Sequence, residues 1–235
     1  MNAGIISLVL AYVLSQFYRA FLAVMAPELE VSIGATPADL ALASGVWFLV
    51  FACMQIPIGE LLDRIGPRLT SSVMFAMGGA GGAVVFAMAS VPWHISVAMG
   101  LIGFGCAPVL MASYYIFARS YLPAVFATLA GVTLGIGNLG NIGSSLPMSM
   151  AVETFGWRGT MWALASVTLV VAVAAFLFVR DPEKVDGSGS GSVLDLLKMP
   201  VIWPILAIMT VNYVPAAGLR GLWAGPYLNE VFAAS

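Results

Sequence analysis

The chain has 235 residues, of which 61% are hydrophobic and 9% charged, with a formal net charge of −2 and a mean hydropathy of +1.00. Soluble domains average roughly 45–50% apolar and about 25% charged residues, so this composition excludes a fold whose surface faces water. The small net charge says less than where the charges sit, and a nucleic-acid partner is not expected.

Seven apolar segments follow one another, at about 4–26, 38–58, 70–91, 94–117, 124–147, 159–179 and 201–228. Each reaches the roughly 20 residues that a spanning helix needs. A spanning segment must also satisfy its own backbone hydrogen bonds, so all seven are predicted to be helices. The expected fold class is therefore an all-α, multi-pass membrane protein. The first segment lacks the basic start of a secretory leader and runs on to Met25, so it reads as a first transmembrane helix. Cys53 and Cys106 both fall inside apolar segments without metal-ligand spacing, and are read as buried thiols.

Loop charges set the orientation. With the N-terminus in the cytoplasm, the inner loops carry Arg64, Arg68, Arg119, Arg180, Lys184 and Lys198, and the outer loops only Arg158. The positive-inside rule favours that arrangement. Trp93 and Trp157 then fall near outer helix ends, as interface anchors do. Residues 181–199 differ in composition. Arg180-Asp181-Pro182-Glu183-Lys184 is followed by the Gly/Ser run of residues 187–192, which reads as a flexible linker. The expected organisation is a six-helix bundle over 1–180, a cytoplasmic linker over 181–199, and a seventh helix within 200–235.

Arg19 is the leading candidate for chemistry. A charge at the centre of a transmembrane helix costs about 2.5–3.5 kcal/mol on insertion scales. Two readings are open: Arg19 snorkels to the outer interface, or it binds an anion in a wet central cavity. Tyr12, Gln16 and Arg19 follow at +4 and +3, so they form a polar stripe on one helix face, with Ser15 beside them. The planar guanidinium fork suits carboxylate or phosphate. Arg220 reads the same way, with Tyr213 seven residues earlier and Asn212 nearby. Arg19 and then Ala26-Pro27-Glu28-Leu29 is loosely echoed by Arg220 and then Gly225-Pro226-Tyr227-Leu228, as if the seventh helix restarted the plan of the first. In the fifth segment, Gly131, Gly135, Gly137, Gly140 and Gly143 read as a helix-packing surface. Asn138 and Asn141, three apart, can add hydrogen bonds to neighbours or to a substrate.

The loop at 59–68 holds four charges, Glu60, Asp63, Arg64 and Arg68, between two spans. Gly59 at a helix end permits close approach, and Gly66-Pro67 enforces a turn. Asp63 can face the positive N-terminal end of a neighbouring helix. The pattern Gly59-x-x-x-Asp63-Arg64-x-Gly66-x-Arg68 resembles the signature loop between the second and third helices of major facilitator superfamily transporters. That resemblance implies a six-helix N-terminal half plus the first helix of a second half. It also implies that Gly59, Asp63, Arg64, Gly66 and Arg68 form a conformational latch between halves. Superfamily members have about twelve helices, so a chain of seven is expected to be truncated and to need the remaining C-terminal helices as partners.

Within that superfamily, Arg19 through Pro27 resembles the first helix of organophosphate:phosphate antiporters, where arginines of the first and seventh helices grip the anion. Gly137-Asn138-Leu139-Gly140 is similar to part of the nitrate porter signature, but residues 38–58 lack that family's second-helix arginine, which argues against nitrate. The reading that results is a secondary transporter of a small organic or phosphorylated anion in the cell membrane, working by alternating access and needing no cofactor. The alternative is a truncated, non-transporting membrane protein that acts as an assembly partner or sensor. No Ser/His/Asp set, paired intramembrane carboxylates or metal-ligand spacing points to an enzyme.

Overall fold

Lipid offers no hydrogen bonds to a backbone, and the computed structural model answers that constraint with helices throughout. It describes residues 3–183 and 199–218, with side chains up to residue 211. Among the described residues, six helices are long and apolar enough to span a bilayer: α1 (Ala3–Ile33), α2 (Pro37–Arg64), α3 (Pro67–Ala87), α4 (Pro92–Ser120), α5 (Pro123–Gly143) and α6 (Leu146–Phe178). These fall in a unit ending at Glu183. A second unit, Lys184–Ser235, contains α7 (Ile202–Gly218).

The helix starts follow from local chemistry. Proline stands in the first turn of α2, α3, α4, α5 and α6, where its missing N–H costs nothing. Thr36 opens α2 with a capping box: Asp39 N–H donates to Thr36 Oγ1 (3.2 Å) and Thr36 N–H donates to Asp39 Oδ2 (2.9 Å).

Helices in a bilayer associate through close packing more than through the hydrophobic effect, and glycines form the seams here. A Cβ on Gly105 of α4 would stand 2.1 Å from Gly79 N of α3, and one on Gly103 would stand 2.6 Å from the Trp47 carbonyl oxygen of α2. The Gly100-x-x-Gly103-x-Gly105 stretch thus serves two neighbours at once. α3 carries a π-helical turn over Phe75–Ala80 where it meets α4. On α5, a Cβ on Gly140 would fall 2.0 Å from the Val13 carbonyl oxygen, and Gly137 lies against the ring of Tyr12. The core gathers Tyr18, Phe21, Met25, Leu29, Trp47, Phe86 and Met161. The Tyr18 hydroxyl hydrogen-bonds Thr168 Oγ1 across α1 and α6 (2.9 Å).

Three sequence expectations change. The hydropathy pattern predicts the sixth span at 159–179, whereas α6 begins at Leu146 and bends at Gly156, whose φ of 70° only glycine adopts cheaply. Trp157 is 5% exposed and packs on Phe86, so it is a core residue and not an interface anchor; Trp93, at 63%, is exposed. Cys106 is buried as expected, whereas Cys53 is exposed on α2, and both thiols are free.

Candidate functional site: the Arg19 patch and the α2–α3 turn

Arg19 lies near the middle of α1, because the helix continues past Pro27 to Ile33. Its guanidinium reaches sideways onto α2 and not along α1 toward a helix end. It stands 5.2 Å from the centre of the Trp47 ring and 4.8 Å from that of Phe51, and those rings stack on each other 5.0 Å apart. Such a stack favours a cation by about 0.5–2 kcal/mol, more where water is scarce.

Around this patch polar atoms are left over. Gln16 Oε1, one turn before Arg19, and Trp47 Nε1 are buried without a hydrogen-bond partner among the described residues. Buried polar groups are normally paired. The Cys106 thiol of α4 lies near Ser15 and Arg19.

The other predicted binding residues fall in several places. Tyr12 is 3% exposed and wedged on Gly137, so its ring packs α1 against α5. Asn138 Nδ2 donates to the Leu134 carbonyl oxygen (2.9 Å), and Asn141 Nδ2 donates to Asn138 Oδ1 (3.2 Å). Both bonds are local to α5. Arg220 and the side chain of Tyr213 lie outside the described residues. A separate recess of about 460 Å³ opens between α1, α4 and α6, lined by Gly4, Ser120, Tyr121 and Arg180. Fifteen residues of α1 separate Gly4 from Arg19, which at 1.5 Å per residue puts this recess roughly 22 Å away.

At the 59–68 turn, Asp63 Oδ1 accepts a hydrogen bond from the Tyr115 hydroxyl (3.0 Å) and an ion-pair contact from Arg119 Nη2 (3.5 Å), both on α4. Arg119 also lies over the Tyr115 ring at 3.8 Å. Arg64 pairs with Glu60 one turn back on an exposed face (2.5 Å). Gly59 has open space where a Cβ would be, so within this unit it makes no close approach to a neighbour. Gly66 has φ 105°, a conformation that favours glycine. Arg68 turns to α6: its Nε donates to the Phe176 carbonyl oxygen (2.6 Å), and its backbone N–H donates to Asp181 Oδ1 (2.8 Å). The sequence gives no sign that Trp47 and Phe51 back Arg19, or that Tyr115, Arg119 and Asp181 are the partners of this turn. Aromatic residues in an apolar helix read as core, and partners more than 50 positions apart leave no local pattern.

The sequence profile of the Major Facilitator Superfamily matches residues 8–233. The chain belongs to that superfamily. Its members are transporters, so it is a multi-pass membrane protein of a transport family. It is similar to the uncharacterized transporter YybO of Bacillus subtilis (strain 168), 20% identical over 172 residues, which are 73% of this chain and 39% of that protein. The fold is similar to the crystal structure of a bacterial homologue of the human lysosomal transporter Spinster, captured inward-facing and unoccupied. That match has a TM-score of 0.77 at 18% identity, covering 99% of this chain and 56% of that one. The chain therefore spans well under two thirds of the length of either superfamily relative.

Proposed function

We propose that this chain supplies the N-terminal half, and the start of the second half, of a secondary transporter that moves a small organic or phosphorylated anion by alternating access. The observation that carries this reading is Arg19. A guanidinium held midway along a spanning helix, backed by Trp47 and Phe51, is an anion site that costs too much to keep without use. The unpaired Gln16 Oε1 supports it by offering an acceptor to a substrate hydroxyl one turn away. Arg220 and Tyr213 of the seventh segment are read as further anion-binding groups, and Asn138 and Asn141 beside the α5 seam as hydrogen-bonding ones. Tyr12 would contribute by setting how closely α5 approaches.

The same reading places the 59–68 turn in the cytoplasm, with the N-terminus, on the strength of the loop charges. There Gly59, Asp63, Arg64, Gly66 and Arg68 would act with the second half as a latch, made in one state and released in the other. The lipid bilayer and the C-terminal helices are the partners this requires.

The test is uptake by the full-length protein in liposomes, with inorganic phosphate, glycerol 3-phosphate and benzoate as probes. Arg19→Ala is expected to lower uptake of the accepted anion at least about tenfold, the equivalent of roughly 1.4 kcal/mol. Arg19→Lys is expected to recover only part of it, since an ammonium lacks the fork. Equal uptake by Arg19→Ala and the parent protein would remove Arg19 from the site and the anion from the reading.

A further inference from the structure

The α2–α3 turn and the end of α6 cap each other. Helix α3 begins with Pro67, which has no N–H, so Arg68 carries the first free backbone donor of that helix. Gly66, in the capping position, has no side chain to accept from it. The acceptor comes instead from 113 positions away: Asp181 Oδ1 takes the Arg68 N–H at 2.8 Å. A carboxylate there also meets the positive end of α3. In return, Arg68 Nε donates to the Phe176 carbonyl oxygen at 2.6 Å, with its guanidinium 4.6 Å from the Phe176 ring centre. Phe176 lies in the last turn of α6, where carbonyls lack intrahelical donors. Gly66 suits the turn through its φ of 105°, and a Cβ there would stand 2.9 Å from the Asp181 carboxyl group, which would have to shift.

Asp63, in the same turn, is held differently. One hydroxyl and one long ion-pair contact use part of its capacity, and its side chain is 40% exposed. Beside it, Arg119 Nη1 is buried without a hydrogen-bond partner among the described residues. The turn therefore has a fastened side at Arg68 and an under-filled side at Asp63.

We propose that Asp181 is a positioning residue of the transport cycle: with Gly66 and Arg68 it clasps the α2–α3 turn to the last residues of the six-helix bundle, leaving Asp63 as the group that exchanges partners. This rests on the transporter reading and narrows it. Arg68 then serves the latch by holding the turn in place, and Asp63 is the member of it that meets the second half. Asp181 lies two residues before Glu183, the last residue of the first unit.

The test needs no substrate. In the full-length protein with Cys53→Ser and Cys106→Ala, one cysteine is introduced at Ile65, beside the turn, or at Met88, beyond the opposite end of α3. Labelling by a membrane-impermeant maleimide is timed in right-side-out and inside-out vesicles. Asp181→Ala is expected to change the Ile65 rate by about fivefold or more while leaving Met88 within about twofold. Gly66→Ala should do the same, since it displaces the carboxylate. Asp181→Asn keeps an oxygen for the Arg68 N–H and should stay near the parent rate. An unchanged Ile65 rate in Asp181→Ala, alongside a changed one in Asp63→Asn, overturns the clasp alone. No change in either variant overturns the latch reading with it. Equal acceleration at Ile65 and Met88 would mean general loosening, and also overturns the proposal.

Discussion

Gly140→Ala is a sharp test of the packing described above. Its Cβ would lie 2.0 Å from the Val13 carbonyl oxygen and 2.9 Å from Phe17 N, both backbone atoms of α1. No rotamer change relieves such a contact, so α5 must move away until the distance reaches about 3.4 Å, where ordinary contact begins. That is a displacement of more than 1 Å along the closest line of approach. Gaps of about 0.5–1 Å already forfeit a quarter to a half of the dispersion attraction between facing atoms. Overpacking of this kind costs about 1–3 kcal/mol, and the rigid backbone on both sides places this site at the upper end. Alanine returns about 1 kcal/mol as the better helix former, leaving a net loss of roughly 2 kcal/mol. Gly135→Ala, on the same helix with open space around it, keeps only the gain. The assay is unfolding of the 235-residue chain in mixed micelles by SDS titration, followed by far-UV circular dichroism. If Gly140→Ala unfolds where the parent does, or if Gly135→Ala is equally damaging, the backbone-to-backbone seam is not what joins α1 to α5.

Three other outcomes are expected. Tyr18→Phe and Thr168→Val each break a buried hydrogen bond and should cost about 1–2 kcal/mol in the same titration, with the double variant costing less than their sum. Thr36→Ala removes a capping box and should cost about 1 kcal/mol, while Thr36→Ser should cost little. Phe51→Ala takes one ring from beneath Arg19 and should raise the KM for the transported anion by about 2- to 30-fold in liposome uptake, the range equivalent to about 0.5–2 kcal/mol.

The spans and their order are legible in the sequence because lipid makes apolar length a strict requirement. The exception at Leu146 is informative. Glu153, Thr154 and Arg158 interrupt the hydropathy around Gly156, so the first arm of α6 reads as loop, yet a single residue at φ 70° joins the two arms. Arg19 is legible because charge in a membrane is conspicuous. Its aromatic backing is not, because Trp47 and Phe51 read as core residues of an apolar helix, and the close approach of Gly103 to the Trp47 backbone appears only in the fold. The turn at 59–68 shows the same division. Its glycines and charges announce a special structure, but Asp181 resembles any linker acid until the fold sets it against Arg68 N–H.

The glycine seams also order events during synthesis. α3 and α4 are consecutive, so the Gly79–Gly105 contact can form as soon as both helices have entered the membrane. The α1–α5 seam cannot, because 125 residues separate Tyr12 from Gly137. At about 5–20 residues per second, the polar stripe of α1 waits roughly 6–25 s for the helix that covers Tyr12. During that interval Gln16 and Arg19 sit in a half-built bundle. The stage most exposed to failure in making this protein is therefore the passage between its first helix and its fifth.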